Sequence, residues 1–181
     1  MKESTDMTVK YTKDQLKAID TILNKRQPYM TCDRQLFCDK HNVVLSDTTL
    51  LVLQEPVWST GTECDVSRLI KSNETPDTKT VCNISSERTH YLGPWNYCKL
   101  ADDAFFDPKV LKRAFRAMKY RDEIVTLHYK VDQRTQQRYC RCLTFRTKYG
   151  YALVMACRVK DESNLNEVGT SAQIKRGELL Q

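Results

Sequence analysis

The chain has 181 residues and a formal net charge of +6, with an ordinary share of apolar residues. That is one domain, or a domain with tails, and it is long enough to bury a core without relying on cross-links. No apolar run approaches the ~20 residues of a membrane-spanning helix, and the moderate positive charge favours acidic partners without demanding nucleic acid.

In chain order, residues 1–11 are polar and read as a disordered arm. Thr12-Lys13-Asp14-Gln15 reads as a capping box. Leu16, Ala18, Ile19, Ile22 and Leu23 follow at helical spacing, so a short amphipathic helix is expected, ending before Pro28. The apolar runs Val43-Val44-Leu45 and Leu50-Leu51-Val52-Leu53 are split by Ser46-Asp47-Thr48, which predicts a hairpin or two linked strands. Residues 59–90 are polar and rich in Ser, Thr and Asn, and are expected to form a long loop pinned by Cys64 and Cys82.

Asp107-Pro108 suits the first turn of a second helix over 107–119. Val110, Leu111, Ala114, Phe115 and Met118 form its apolar face, and Lys109, Lys112, Arg113, Arg116 and Lys119 form its basic face. A solvated face is the plain reading of such a pattern; an acidic receptor patch or a glycosaminoglycan is the functional one. Nucleic acid is disfavoured because no aromatic alternates with the cations along the helix. Residues 122–131, 137–147 and 150–159 alternate and are joined by short links, which predicts an antiparallel meander. The globular domain is thus expected over 12–160, with 161–181 as a polar tail.

Eight cysteines, Cys32, Cys38, Cys64, Cys82, Cys98, Cys140, Cys142 and Cys157, are the main departure in composition. An even number at wide spacing suits disulfides in an oxidising compartment. Zinc is the alternative, but no C-x-x-C knuckle is present, and Cys32, Cys38 and His41 have no fourth ligand nearby. Cys140 and Cys142, two apart on a strand, are expected to project to one face, from which they can send two bridges side by side into a neighbouring strand or loop; two unrelated bridges are the equal alternative. The chain opens Met1-Lys2-Glu3-Ser4 without a basic start followed by an apolar stretch. The secreted reading therefore requires a signal peptide already removed. Asn73-Glu74-Thr75 and Asn83-Ile84-Ser85 are sequons, and Pro76 makes the first the poorer acceptor.

No catalytic motif stands out. Only His41, His90 and His128 are available, and none lies at a diagnostic spacing from a nucleophile. His128 reads as a surface or interface histidine. The carboxylates at Asp102-Asp103 and Asp122-Glu123 read as capping or solvated groups. No catalytic residue, metal or cofactor is expected.

The segment Arg88-Thr89-His90-Tyr91-Leu92-Gly93-Pro94-Trp95-Asn96-Tyr97, followed by Asp102 through Pro108, resembles the interleukin-17 family. Phe145-Arg146 and Ala152-Leu153-Val154-Met155-Ala156-Cys157 are similar to that family's closing strands. The similarity spans about residues 83–159. Gly93 stands where the family has serine, Cys157 is followed by Arg158 rather than closing a Cys-x-Cys, and 113–124 holds no cysteine. The family's disulfide pairing is therefore not carried over.

The resemblance implies a mainly β, cystine-knot-like fold of antiparallel strands with one or two short helices. It also implies a dimer, and a secreted cytokine-like ligand that engages an interleukin-17-type receptor ectodomain through Trp95 and Tyr97. Aromatic anchors suit such an interface; core packing is the plain reading of Trp95. A glycosaminoglycan on Lys109, Lys112, Arg113 and Arg116 would accompany that role. The alternatives are an intracellular zinc-stabilised module that binds nucleic acid or protein with the 109–121 segment, and a secreted decoy or binding protein.

Overall fold

The computed structural model describes residues 9–24, 35–38, 42–46, 48–55, 57, 65–82, 89–92, 95–101, 104–121 and 124–158. Its elements are α1 (Lys13–Asn24), β1 (Gln35–Cys38), β2 (Asn42–Leu45), β3 (Thr49–Leu53), α2 (Val66–Asn73), β4 (Thr78–Val81), β5 (Thr89–Leu92), β6 (Trp95–Ala101), β7 (Ala104–Phe106), α3 (Pro108–Ala117), β8 (Val125–Val131), β9 (Arg138–Thr147) and β10 (Gly150–Met155). Strands dominate, and every strand pairing is antiparallel. The larger sheet runs β1-β2-β3-β10-β9-β8-β4, and β5-β6-β7 form a second sheet. An isolated bridge, Phe105 to Cys157, carries the chain just after β10 across to β7 and ties the two sheets together.

The capping box forms as the sequence predicts. Thr12 Oγ1 accepts from the Gln15 N–H at 3.3 Å, and Gln15 Oε1 accepts from the Thr12 N–H at 3.0 Å. Ala18, Ile19 and Ile22 are buried, and α1 packs on α3 above one face of the larger sheet. The β2–β3 hairpin also forms, with Thr49 N–H bonded to Ser46 Oγ in its turn.

Its two apolar runs do not alternate because both faces of the sheet are covered. Val44, Leu51, Leu53, Ala152 and Val154 face α1 and α3. Val43, Leu50, Tyr151 and Leu153 lie on the opposite side, where Val66, Leu69 and Ile70 of α2 pack. That second layer corrects the long loop expected over 59–90. Asp65 caps α2 by accepting from the Arg68 N–H at 3.0 Å, and β4 pairs with β8. Among the described residues there are three helices rather than one or two.

The meander is present as β8-β9-β10, with one change of parity. His128 pairs with Cys142 and Tyr129 with Cys140, so Arg141 is an extra residue on β9. Such a bulge shifts the alternation of side chains by one. Cys140 joins Leu143 and Phe145 on the α1/α3 side, whereas Cys142 lies on the α2 side. The shared face expected of these two cysteines is thereby corrected, and side-by-side bridging to one neighbour does not arise.

No disulfide joins the described cysteines Cys82, Cys98, Cys140, Cys142 and Cys157. The side chains of Cys32, Cys38 and Cys64, and that of His41, lie outside the described residues. Tyr11, at the end of the arm expected over 1–11, packs against the fold. Tyr11 donates to the Tyr149 carbonyl at 2.9 Å and accepts from the Glu55 N–H at 3.2 Å. Residues 1–8 and the 161–181 tail lie outside the described residues.

Candidate anion-binding surface

The basic face of α3 follows from a local pattern that the structure reproduces. Asp107 Oδ1 accepts from the N–H groups of Lys109 at 2.7 Å and Val110 at 3.4 Å, with Pro108 in the first turn. Val110, Leu111, Ala114 and Ala117 are buried. Lys109, Lys112 and Arg116 are exposed, and Arg113 is half-buried. Among the described residues, no carboxylate forms an ion pair with Lys109, Lys112, Arg113, Arg116, Lys119 or Arg121. The ion pairs seen elsewhere are Arg138–Asp77 at 2.7 Å and Arg158–Asp132 at 3.5 Å.

The helix ends in a way the sequence did not announce. Lys119 has φ of 49°, a left-handed conformation usually given to glycine at this position. The reversal returns the Tyr120 N–H to the Phe115 carbonyl at 2.8 Å. It also stacks the two rings, with centroids 4.1 Å apart and planes 20° from parallel. Both rings then meet Phe145 of β9 edge-on, at 5.2 Å and 5.1 Å. Lys119 Nζ donates to the Tyr149 hydroxyl at 3.3 Å, which helps hold the strained residue in place. Two carbonyls at the helix end are satisfied from other elements. Gln15 Nε2 donates to Ala117 at 3.0 Å and Thr147 Oγ1 to Met118 at 2.8 Å.

A cleft of about 250 Å³ opens between the start of α1 and this end of α3. Phe115, Tyr120, Arg116, Lys119 and Arg121 line it, together with Thr12 and Gln15. Asp14 adds a carboxylate to the lining. The cations and the paired rings therefore share one opening, although they do not alternate in the sequence.

A second polar group lies under α2, where His128 is buried rather than at the surface or an interface as expected. The Thr75 N–H donates to its Nδ1 at 3.1 Å, so the ring hydrogen sits on Nε2, 2.9 Å from Thr144 Oγ1. Cys142 faces His128 across the ladder. Burial pushes its thiol up to about 12, and burial likewise pushes Cys157 up to about 11. A thiol held neutral is a poor nucleophile, and an imidazole bonded at both nitrogens has no free lone pair to act as base. Burial, followed by the bond to Glu74, also raises the Tyr151 hydroxyl. The arrangement is a structural polar network.

Trp95 and Tyr97 lie on β6, which packs beside α3. Tyr97 is half-buried; the Trp95 side chain is outside the described residues. Asn73 ends α2. Its Nδ2 donates to the Leu69 carbonyl at 2.9 Å and its Oδ1 accepts from Arg141 Nη2 at 3.1 Å. Asn83 lies outside the described residues. Among the described residues, no three metal-ligating side chains converge, and no helix is long and apolar enough to cross a membrane. Compared with known proteins, the chain matches no family model, no curated protein and no solved structure, so nothing in these comparisons identifies an interleukin-17 family member.

Proposed function

We propose that this chain works by binding rather than by catalysis, and that it seats an extended anion on the basic face of α3. The observation that carries this reading is the row Lys109, Lys112, Arg113 and Arg116, which continues to Lys119 and Arg121 without a paired carboxylate among the described residues. Unpaired surface cations at helical spacing attract a polymer of like charges and give it a salt-dependent affinity. The occupation of both His128 nitrogens and the neutral Cys142 thiol support a non-enzymatic role.

The test is retention on immobilised heparin against a salt gradient. Replacing Lys109, Lys112, Arg113 and Arg116 with Gln should move elution to clearly lower salt. Four substitutions that remove the same charge at Lys71, Lys79, Arg134 and Arg146, away from α3, should move it much less. Equal shifts in the two variants would mean that net charge alone, and not this face, does the binding.

A secreted receptor ligand is the second reading, favoured by the packing of β6 beside α3. A glycosaminoglycan held on the helix would then place the β5–β6 hairpin, with Trp95 and Tyr97, close to a membrane-bound receptor. Cystine-knot pairing and dimerisation belong to that reading. Its check is a non-reducing gel of protein secreted from eukaryotic cells: an interchain disulfide supports it, and a fully reduced monomer removes it.

A further inference from the structure

We infer that the anion seated on α3 is a single-stranded nucleic acid, with its phosphates along the basic face and one base entering the cleft beside Phe115 and Tyr120. The inference rests on the reading of α3 as an anion-binding face and goes on to name the polymer. Binding a single strand without sequence preference needs a cationic track and an aromatic surface reachable from it. The helix sequence alone supplies only the track, because Phe115 belongs to the apolar stripe. The fold supplies the surface. The left-handed turn at Lys119 brings Tyr120 back over Phe115, and both rings line the opening that also holds Arg116, Lys119 and Arg121.

The dimensions agree with one short site. The ten residues of α3 extend about 15 Å, enough for a few nucleotides. The cleft volume of about 250 Å³ gives room for one planar base. Asp14 also lines the cleft, and its carboxylate disfavours a phosphate there relative to a neutral base. A sulfated polysaccharide would use the cations but has no planar ring for the aromatic pair.

The experiment is fluorescence anisotropy with a labelled 15-nucleotide oligothymidine, the same phosphates on an abasic backbone, and a heparin oligosaccharide of matched charge. The oligothymidine should bind more tightly than the abasic strand by roughly tenfold, the size of one stacked base. Its affinity should fall with salt at a logarithmic slope of about −2 to −4, for roughly three to five phosphates.

Tyr120→Leu should remove the difference between thymidine and abasic strands while leaving heparin affinity unchanged. Arg121→Gln, at an exposed position that does not threaten folding, should weaken all three probes. If the abasic strand binds as well as oligothymidine, or heparin binds while neither strand does, the nucleic-acid assignment is overturned and the anion-binding face survives. If none of the three probes binds, the reading of α3 falls as well.

Discussion

Gln15 connects two helices through one amide. Its Oε1 completes the cap of α1, and its Nε2 satisfies the Ala117 carbonyl at the end of α3, while the side chain is only 1 % exposed. Gln15→Leu should leave that carbonyl without a partner and lower stability by about 1–3 kcal/mol in urea unfolding. The thiols give a second prediction at this scale. Exposed Cys82 should react with an aromatic disulfide reagent in the native protein at pH 8, whereas buried Cys142 should react only on unfolding and half-buried Cys157 much more slowly than Cys82. The folded value for Cys142 lies above its ordinary one. Its contribution to stability is therefore present below that ordinary value and is lost as pH rises toward about 12. Between pH 9 and 11 the melting temperature of the wild type should consequently fall more steeply than that of Cys142→Ala. Asn73 is relevant to modification: both ends of its amide are engaged within the fold. A glycan on Nδ2 would displace the Leu69 and Ser72 contacts.

At the scale of elements, turns and edges decide register. Gly150 opens β10 with φ of 139°, and a Cβ there would collide with the Val52 carbonyl. Gly150→Ala should destabilise by at least about 2 kcal/mol, read as a lowered melting temperature, because the strained turn sets the pairing of β9, β10 and β3 together. Asp77 offers a test at acid pH. The hydrogen bond from Arg138 holds its carboxyl below the usual range, and this pair ties the start of β4 to β9. Its contribution is present above the ordinary carboxylate value and is lost as pH falls through the lowered one. Arg138→Gln should move the Asp77 titration, followed by NMR, back up toward the ordinary range. The helix α2 was legible in part: Asp65 is a good cap, and Val66, Leu69 and Ile70 have helical spacing. The surrounding Ser, Thr and Asn residues obscured it, since they favour loops when composition is averaged over a long window.

For the whole molecule, the two sides of the larger sheet are unequal. The α1/α3 side carries the larger buried cluster, including Ile19, Leu51, Phe106, Leu127 and Leu143, while the α2 side carries Val43, Leu50, Tyr151 and Leu153 beneath half-buried α2 side chains. Large-to-small changes cost about 2–5 kcal/mol and least where neighbours can collapse into the gap. Leu51→Ala should therefore destabilise more than Leu50→Ala in urea unfolding, although the two residues are adjacent and similarly buried. Equal losses would mean that α2 packs as firmly as the opposite layer.

The sequence by itself determined what depends on near neighbours. The Thr12–Gln15 cap, the Asp107-Pro108 helix start, the basic stripe of α3 and the alternation of β8 are set by spacings of a few residues, which local sterics and hydrogen bonding enforce. Tertiary structure decided what depends on distant partners. Cys140 and Cys142 part to opposite faces because Arg141 bulges against β8. His128 is buried because Thr75 and Thr144 meet its two nitrogens. Phe115 and Tyr120 reach the cations of α3 only because Lys119 turns left-handed against Tyr149 and Phe145 supports both rings. Periodicity sets which residues share a face of an element, but packing against the rest of the chain decides what that face meets.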